Sequence, residues 1–137
     1  MTELGPFLDS LRSCYPNKAI IVSEFGFDAN RTGPASERGT YAYQSWAIAY
    51  HLRVFAARPW LSGAIYFTLK DFASRAGWDG GNPHGRAPFV QNGLIDLSGR
   101  TKPAFATIAS IYHATVQIAP ASQAPASRVG TGGYFPP

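Results

Sequence analysis

The chain has 137 residues, 45% of them hydrophobic and 14% aromatic, which fits one packed domain and excludes a disordered chain. Its net charge of +4 comes from basic residues scattered singly, so no run marks a nucleic-acid partner, and no stretch approaches the roughly 18 apolar residues of a membrane span. One cysteine, Cys14, excludes an internal disulfide and any cysteine-rich metal site.

Met1 is followed by Thr2 and Glu3, with neither a basic start nor an apolar core. With Met1 as the natural start, no secretion signal and a cytoplasmic location are expected. Leu4, Phe7, Leu8, Leu11 and Tyr15 recur at helical spacing, with Pro6 in the first turn and Pro16-Asn17 as the stop. Cys14 on this helix reads as a small buried hydrophobe. Ala19 to Ser23 is a continuous apolar and β-branched run, the pattern of a strand buried on both faces of a parallel sheet. Phe25 to Ala35 reads as a loop broken by Gly26, Asn30, Gly33 and Pro34.

A long helix follows, with Ser36 as N-cap and Glu37 in its first turn. Tyr43, Ala47, Tyr50 and Val54 form its apolar face, widened by Trp46 and Leu52, and Arg58-Pro59 stops it. "GAIYFTL", residues 63 to 69, is a second strand of the buried kind. Lys70 to Asn92 is a long glycine-rich loop carrying Trp78, Asp79, His84 and Arg86; loops of that length tend to be functional or disordered. "NGLIDLSGR" is a short extended piece with a turn at Ser98-Gly99. Pro103 then opens a last helix with Phe105, Ile108, Ala109 and Tyr112 inward. From Val116 the chain is Pro, Ala, Ser and Gly, a linker or tail.

Strands alternating with helices imply parallel βα units. Two strands cannot make a stable parallel sheet, because both edges stay unpaired and both faces need cover. The chain reads as a piece of something larger, or as a subunit that completes its sheet with a partner.

Reacting groups in βα barrels sit at the C-terminal ends of the strands. Glu24 follows the first strand directly and Asp71 lies just past the second. Each has an alternative reading, Glu24 as a solvated loop carboxylate and Asp71 as a loop-ordering partner of its neighbours. Asp28, Glu37, Asp79 and Asp96 sit in loop, turn or capping positions. His51 and His113 fall within helices, and His84 has no second ligand at metal-binding spacing, so no metal site is expected. No phosphate loop, dinucleotide fingerprint or nucleophile elbow is present, and no cofactor is expected.

Four blocks, "KAIIVSEFGFDA", "YAYQSWAIAYHLRVFA", "LSGAIYFTLKDFA" and "NGLIDLSGRTKPAFATIASIY", occur in that order. From about Asn17 to about His113 they resemble the C-terminal part of the catalytic barrel of glycoside hydrolase family 2, which contains β-galactosidases, β-glucuronidases and β-mannosidases. The resemblance implies that residues 1–115 carry about strands 7 and 8 of a (β/α)₈ TIM barrel with their helices, and that residues 116–137 are a tail. It aligns Glu24 with the family's catalytic nucleophile and puts Phe67, Asp71, Trp78 and Asn92 near a β-glycoside substrate.

Three departures qualify it. The family's acid/base glutamate follows an asparagine at the end of strand 4, and this chain has no Asn-Glu pair. A full barrel needs about 250 residues, so the remainder of the barrel or a partner chain must complete the sheet, and this chain alone is expected to be inactive. Phe67 stands where the family carries a tryptophan floor, offering less stacking area. Val90-Gln91-Asn92 replaces the Asn-x-Lys motif of glucuronidases, so no cation is offered to a sugar carboxylate and a galactoside-like substrate is favoured. Two other readings stay open: a non-catalytic carbohydrate-binding or partner-completed barrel module, and a cellulase-like (β/α)₈ hydrolase.

Overall fold

The computed structural model describes residues 3–115. The tail expected from Val116 onward lies outside them. In chain order the elements are α1 (Leu4–Cys14), β1 (Ile20–Phe25), β2 (Ala29–Arg31), β3 (Gly39–Thr40), α2 (Tyr41–Ala56), β4 (Leu61–Tyr66), β5 (Phe72–Ala73), β6 (Phe89–Val90) and α3 (Pro103–Thr115). Among the described residues the architecture is mixed α/β with three small sheets.

β1 and β4 pair in parallel, with Ile20 beside Leu61, Ile21 beside Gly63, Val22 beside Ala64 and Phe25 beside Tyr66. From Val22 to Phe25 β1 advances three residues while β4 advances two, which is a bulge. The extra residue shifts the alternation: Phe25 joins Val22 on the core side, and Ser23 and Glu24 are both left exposed. β1 thus runs further than the apolar pattern predicts, and Glu24 is its penultimate residue rather than the first residue beyond it. β4 is displaced the other way, beginning at Leu61 and ending at Tyr66 instead of running to Leu69.

One face of this pair is a core. Leu8 of α1, Ile48, Leu52 and Phe55 of α2, and Ala104 and Ile108 of α3 pack with Phe25 and Leu94. The other face is bare within the described chain: Ile21 and Ile65 are 57% and 59% exposed, and Leu69, beyond the end of β4, is 60% exposed. Burial on both faces, as the strand composition predicts, is met on one face only.

Several local expectations are corrected. α2 starts four residues later than the Ser36 cap implies, because Gly39 takes φ +87° and breaks the helical path. Thr40 is the cap, and its Oγ1 accepts the Tyr43 N–H at 3.1 Å. Glu37, freed from the helix, meets Arg31 and His84 instead. The buried face of α2 is Gln44, Ala47, Ile48, Leu52 and Phe55. Tyr43, Trp46 and Tyr50 form an aromatic row beside it, and Trp46 is exposed. Cys14 is exposed, as are Phe7 on the same helix and Tyr15 just after it. The long loop after β4 is tied at its base by antiparallel β5 and β6, and the loop after β1 contains β2, paired with β3.

His51 is enclosed by Phe25, Phe27, Tyr50 and Phe55, with Nδ1 2.9 Å from the Ala47 carbonyl. Burial holds its pKa below the usual 6.5, against the pull of that carbonyl. The unfolded chain therefore takes up this proton first. Stability is expected to be full above about pH 6.5 and to fall as the pH drops below it. Urea titrations between pH 7.5 and 5 should show that slope, and His51→Leu should remove His51's share of it.

Candidate active site

The C-terminal ends of β1 and β4 are joined by a backbone hydrogen bond and meet at Gly26 with no room for a side chain. The Phe67 N–H donates to the Phe25 carbonyl at 2.9 Å. A methyl group on Gly26 would lie 2.0 Å from the Phe67 carbonyl oxygen. Only glycine fits there, and Gly26→Ala is expected to cost about 1–3 kcal/mol by pushing the strand ends apart. A urea denaturation midpoint within error of the parent would contradict this contact.

Glu24 sits one residue before that contact. Its carboxylate is exposed and makes no hydrogen bond or ion pair among the described residues. Its backbone is anchored by its neighbour: the Phe25 ring lies edge-on to Phe55 and Tyr66 and parallel to His51. Phe67 leaves its ring partly open, edge-on to Phe72 at 5.8 Å.

Asn92 reaches the same strand ends from the far side of the long loop. Its Nδ2 lies 3.6 Å from the position of a Gly26 methyl, and its Oδ1 is buried with no partner among the described residues. A hub of buried polar groups fixes this segment. The Tyr66 hydroxyl donates to the Asn92 carbonyl at 2.7 Å. Gln44 Nε2 donates to the carbonyls of Phe27 at 2.8 Å and Gly93 at 3.1 Å. Burial raises the Tyr66 phenol above its ordinary value, which keeps it a neutral donor.

Asp71 is placed differently. It is 5% exposed, as is Lys102. Its Oδ1 accepts from Lys102 Nζ at 2.7 Å and from the Gly93 N–H at 2.8 Å. Lys102 Nζ also donates to the carbonyls of Ala29 and Gln91, each at 2.8 Å. Burial pushes the Asp71 carboxyl up and the Lys102 ammonium down, and each is opposed by the other's charge. A methyl on Gly93 would stand 2.2 Å from the Asp71 nitrogen, so this junction also requires glycine. Asp71 lines a cavity to which Glu24, Phe67, Trp78 and Asn92 contribute nothing.

Trp78 is exposed on the long loop, with the Arg75 guanidinium 5.6 Å from its ring. The structure therefore brings Glu24, Phe67 and Asn92 to one strand end and leaves Asp71 and Trp78 with other partners. Among the described residues, no group of three or more His, Cys, Asp or Glu could hold a metal ion, and no helix is long and apolar enough to cross a membrane.

Gln44, Tyr66 and Lys102 escape the sequence reading, yet two left a signal. Gln44 is the polar residue on the buried face of α2. Lys102 precedes a helix start, where the dipole disfavours a cation.

No protein-family model and no curated protein matches the sequence. Solved structures match the fold. A GH2 β-galacturonidase from Eisenbergiella tayi, bound to galacturonate, superposes with a TM-score of 0.70 at 23% identity, over 80% of this chain and 21% of that one. The β-D-glucuronidase of Dictyoglomus thermophilum and the β-glucuronidase of Lactobacillus rhamnosus each give 0.66 at 20% identity, over 81% of this chain and 18% of theirs. The chain thus has the fold of part of these GH2 glycosidases and spans about a fifth of their length.

Proposed function

We propose that residues 1–115 are strands 7 and 8, with their helices, of the (β/α)₈ barrel of a retaining β-glycosidase, and that residues 116–137 are a tail or linker. The observation that carries this reading is Glu24: an unpaired, exposed carboxylate at the C-terminal end of a parallel strand, where barrel enzymes keep their reacting groups. The apolar residues bare on the sheet face support it, because a barrel interior would cover them. So does the fold shared with GH2 structures.

In this reading Glu24 attacks the anomeric carbon and forms the glycosyl-enzyme. A second carboxyl group, about 5 Å away, protonates the leaving oxygen and then activates water. That group comes from the polypeptide that completes the barrel, so this chain alone does not turn over. Phe67 stacks on the sugar ring. Asn92 hydrogen-bonds a neutral hydroxyl, and with no cation at this position the substrate is a β-galactoside rather than a glucuronide. Asp71 acts one layer back, through Gly93, on the placement of Asn92. Trp78 meets the sugar's outer side from the long loop.

The completed barrel is expected to cleave a nitrophenyl β-galactoside and to handle the corresponding glucuronide at least tenfold less well in kcat/KM. The isolated chain is expected to cleave neither. Preference for the glucuronide would overturn the substrate assignment. Turnover by the isolated chain, lost in Glu24→Gln, would overturn the need for a completing polypeptide.

A further inference from the structure

A polar cavity of about 260 Å³ opens between the N-terminal ends of α2 and α3. That is just below the roughly 300 Å³ at which small-molecule sites begin. Its floor is the Asp71–Lys102 pair. All three protons of the ammonium are committed, to Asp71 Oδ1 and to the carbonyls of Ala29 and Gln91. Lys102 therefore offers nothing to a ligand and neutralises the carboxylate. Asp71 Oδ1 is doubly occupied, while Oδ2 carries no hydrogen bond.

Beside it, Asn30 Nδ2 donates to the His84 carbonyl at 2.7 Å and to Gln91 Oε1 at 2.8 Å. This fixes the amide orientation and leaves Asn30 Oδ1 buried without a partner. On the wall, the Tyr41 hydroxyl has no hydrogen bond among the described residues. Arg100 at the mouth is held by Asp96, with Nε 3.0 Å from Oδ2. Leu97, 43% exposed, adds an apolar surface.

Toward the cavity stand one acceptor lacking a donor (Asp71 Oδ2), one phenol able to do either, an aromatic and an aliphatic wall, and two ion pairs whose charges cancel, while Asn30 Oδ1 lies covered behind the wall. An anion would meet the free Asp71 carboxylate oxygen at the floor. A cation would find the Asp71 charge already neutralised. A hydroxyl donates to a fixed acceptor and accepts in the same contact, and the ring C–H face of a sugar suits Tyr41 and Leu97. We infer that this cavity is a binding site for a neutral polyhydroxyl ligand of monosaccharide size, built from residues other than Glu24, Phe67 and Asn92.

The completed barrel, with this chain ¹⁵N-labelled and titrated with D-galactose, which offers no glycosidic bond to cleave, should show saturable shifts of the Asn30, Ser98 and Arg100 amides. Methylammonium and inorganic phosphate at the same concentrations should leave them in place. Tyr41→Phe should weaken the sugar at least about threefold, the loss of one hydrogen bond. Leu97→Trp, an exposed turn position, should close the mouth and abolish the shifts with the rest of the spectrum unchanged. Glu24→Gln should not affect them, so this site and the strand-end reading fail separately. Unmoved amides, a stronger response to either ion, or unaltered sugar binding in Leu97→Trp would overturn the inference.

Discussion

Lys102→Met is expected to destabilise the fold by about 3–5 kcal/mol, seen as a lower urea midpoint with an unchanged slope. Lys102 joins three chain segments to the start of α3: Ala29 after β1, Asp71 after β4 and Gln91 after β6. Methionine matches the stem but leaves Asp71 buried, charged and without its counter-ion. Two carbonyls also lose their donor, each of which costs about 1–3 kcal/mol when no water replaces it. Against a total stability of about 5–15 kcal/mol, this single change brings the fold near its limit. Lys102→Met combined with Asp71→Asn removes the stranded charge and should recover part of the loss, with a coupling of at least about 1 kcal/mol between the two sites. A single-variant effect below about 1 kcal/mol would show that water already shares the pair.

Glu24→Gln should lower kcat of the completed barrel by ~10⁴-fold or more, the order lost when a catalytic nucleophile is removed. Glutamine keeps the size of the side chain and cannot form the glycosyl ester. Because Glu24 is exposed and makes no hydrogen bond among the described residues, the same variant should shift stability by no more than about 0.5 kcal/mol. The two readouts together separate a reacting group from a structural one. A small activity loss, or an equal loss of stability and activity, would contradict the nucleophile role.

The sequence carried the strand-end carboxylate because its signal is local. A β-branched run followed by Glu-Phe-Gly needs no tertiary information beyond the strand itself. The same locality explains the third helix, where Pro103 and the following apolar spacing settle the element. Ser36 and Glu37 form a sound capping pattern in isolation, but Gly39 with positive φ overrides it and α2 starts at Tyr41. The bulge in β1 could not be read, since its effect on Glu24 depends on register with β4. The use of Asp71 was hidden for a similar reason: its partner Lys102 lies 31 residues away. Gln44 likewise serves carbonyls 17 and 49 residues distant. Long-range polar contacts of this kind leave only a weak trace, a polar residue where the pattern asks for an apolar one.

The most direct test is the position of covalent labelling. The completed barrel, trapped with a 2-deoxy-2-fluoro-β-galactosyl fluoride and digested, should yield one glycosylated peptide, with the added mass on Glu24. Labelling of any other carboxylate, or turnover without labelling of Glu24, would contradict its role as the nucleophile.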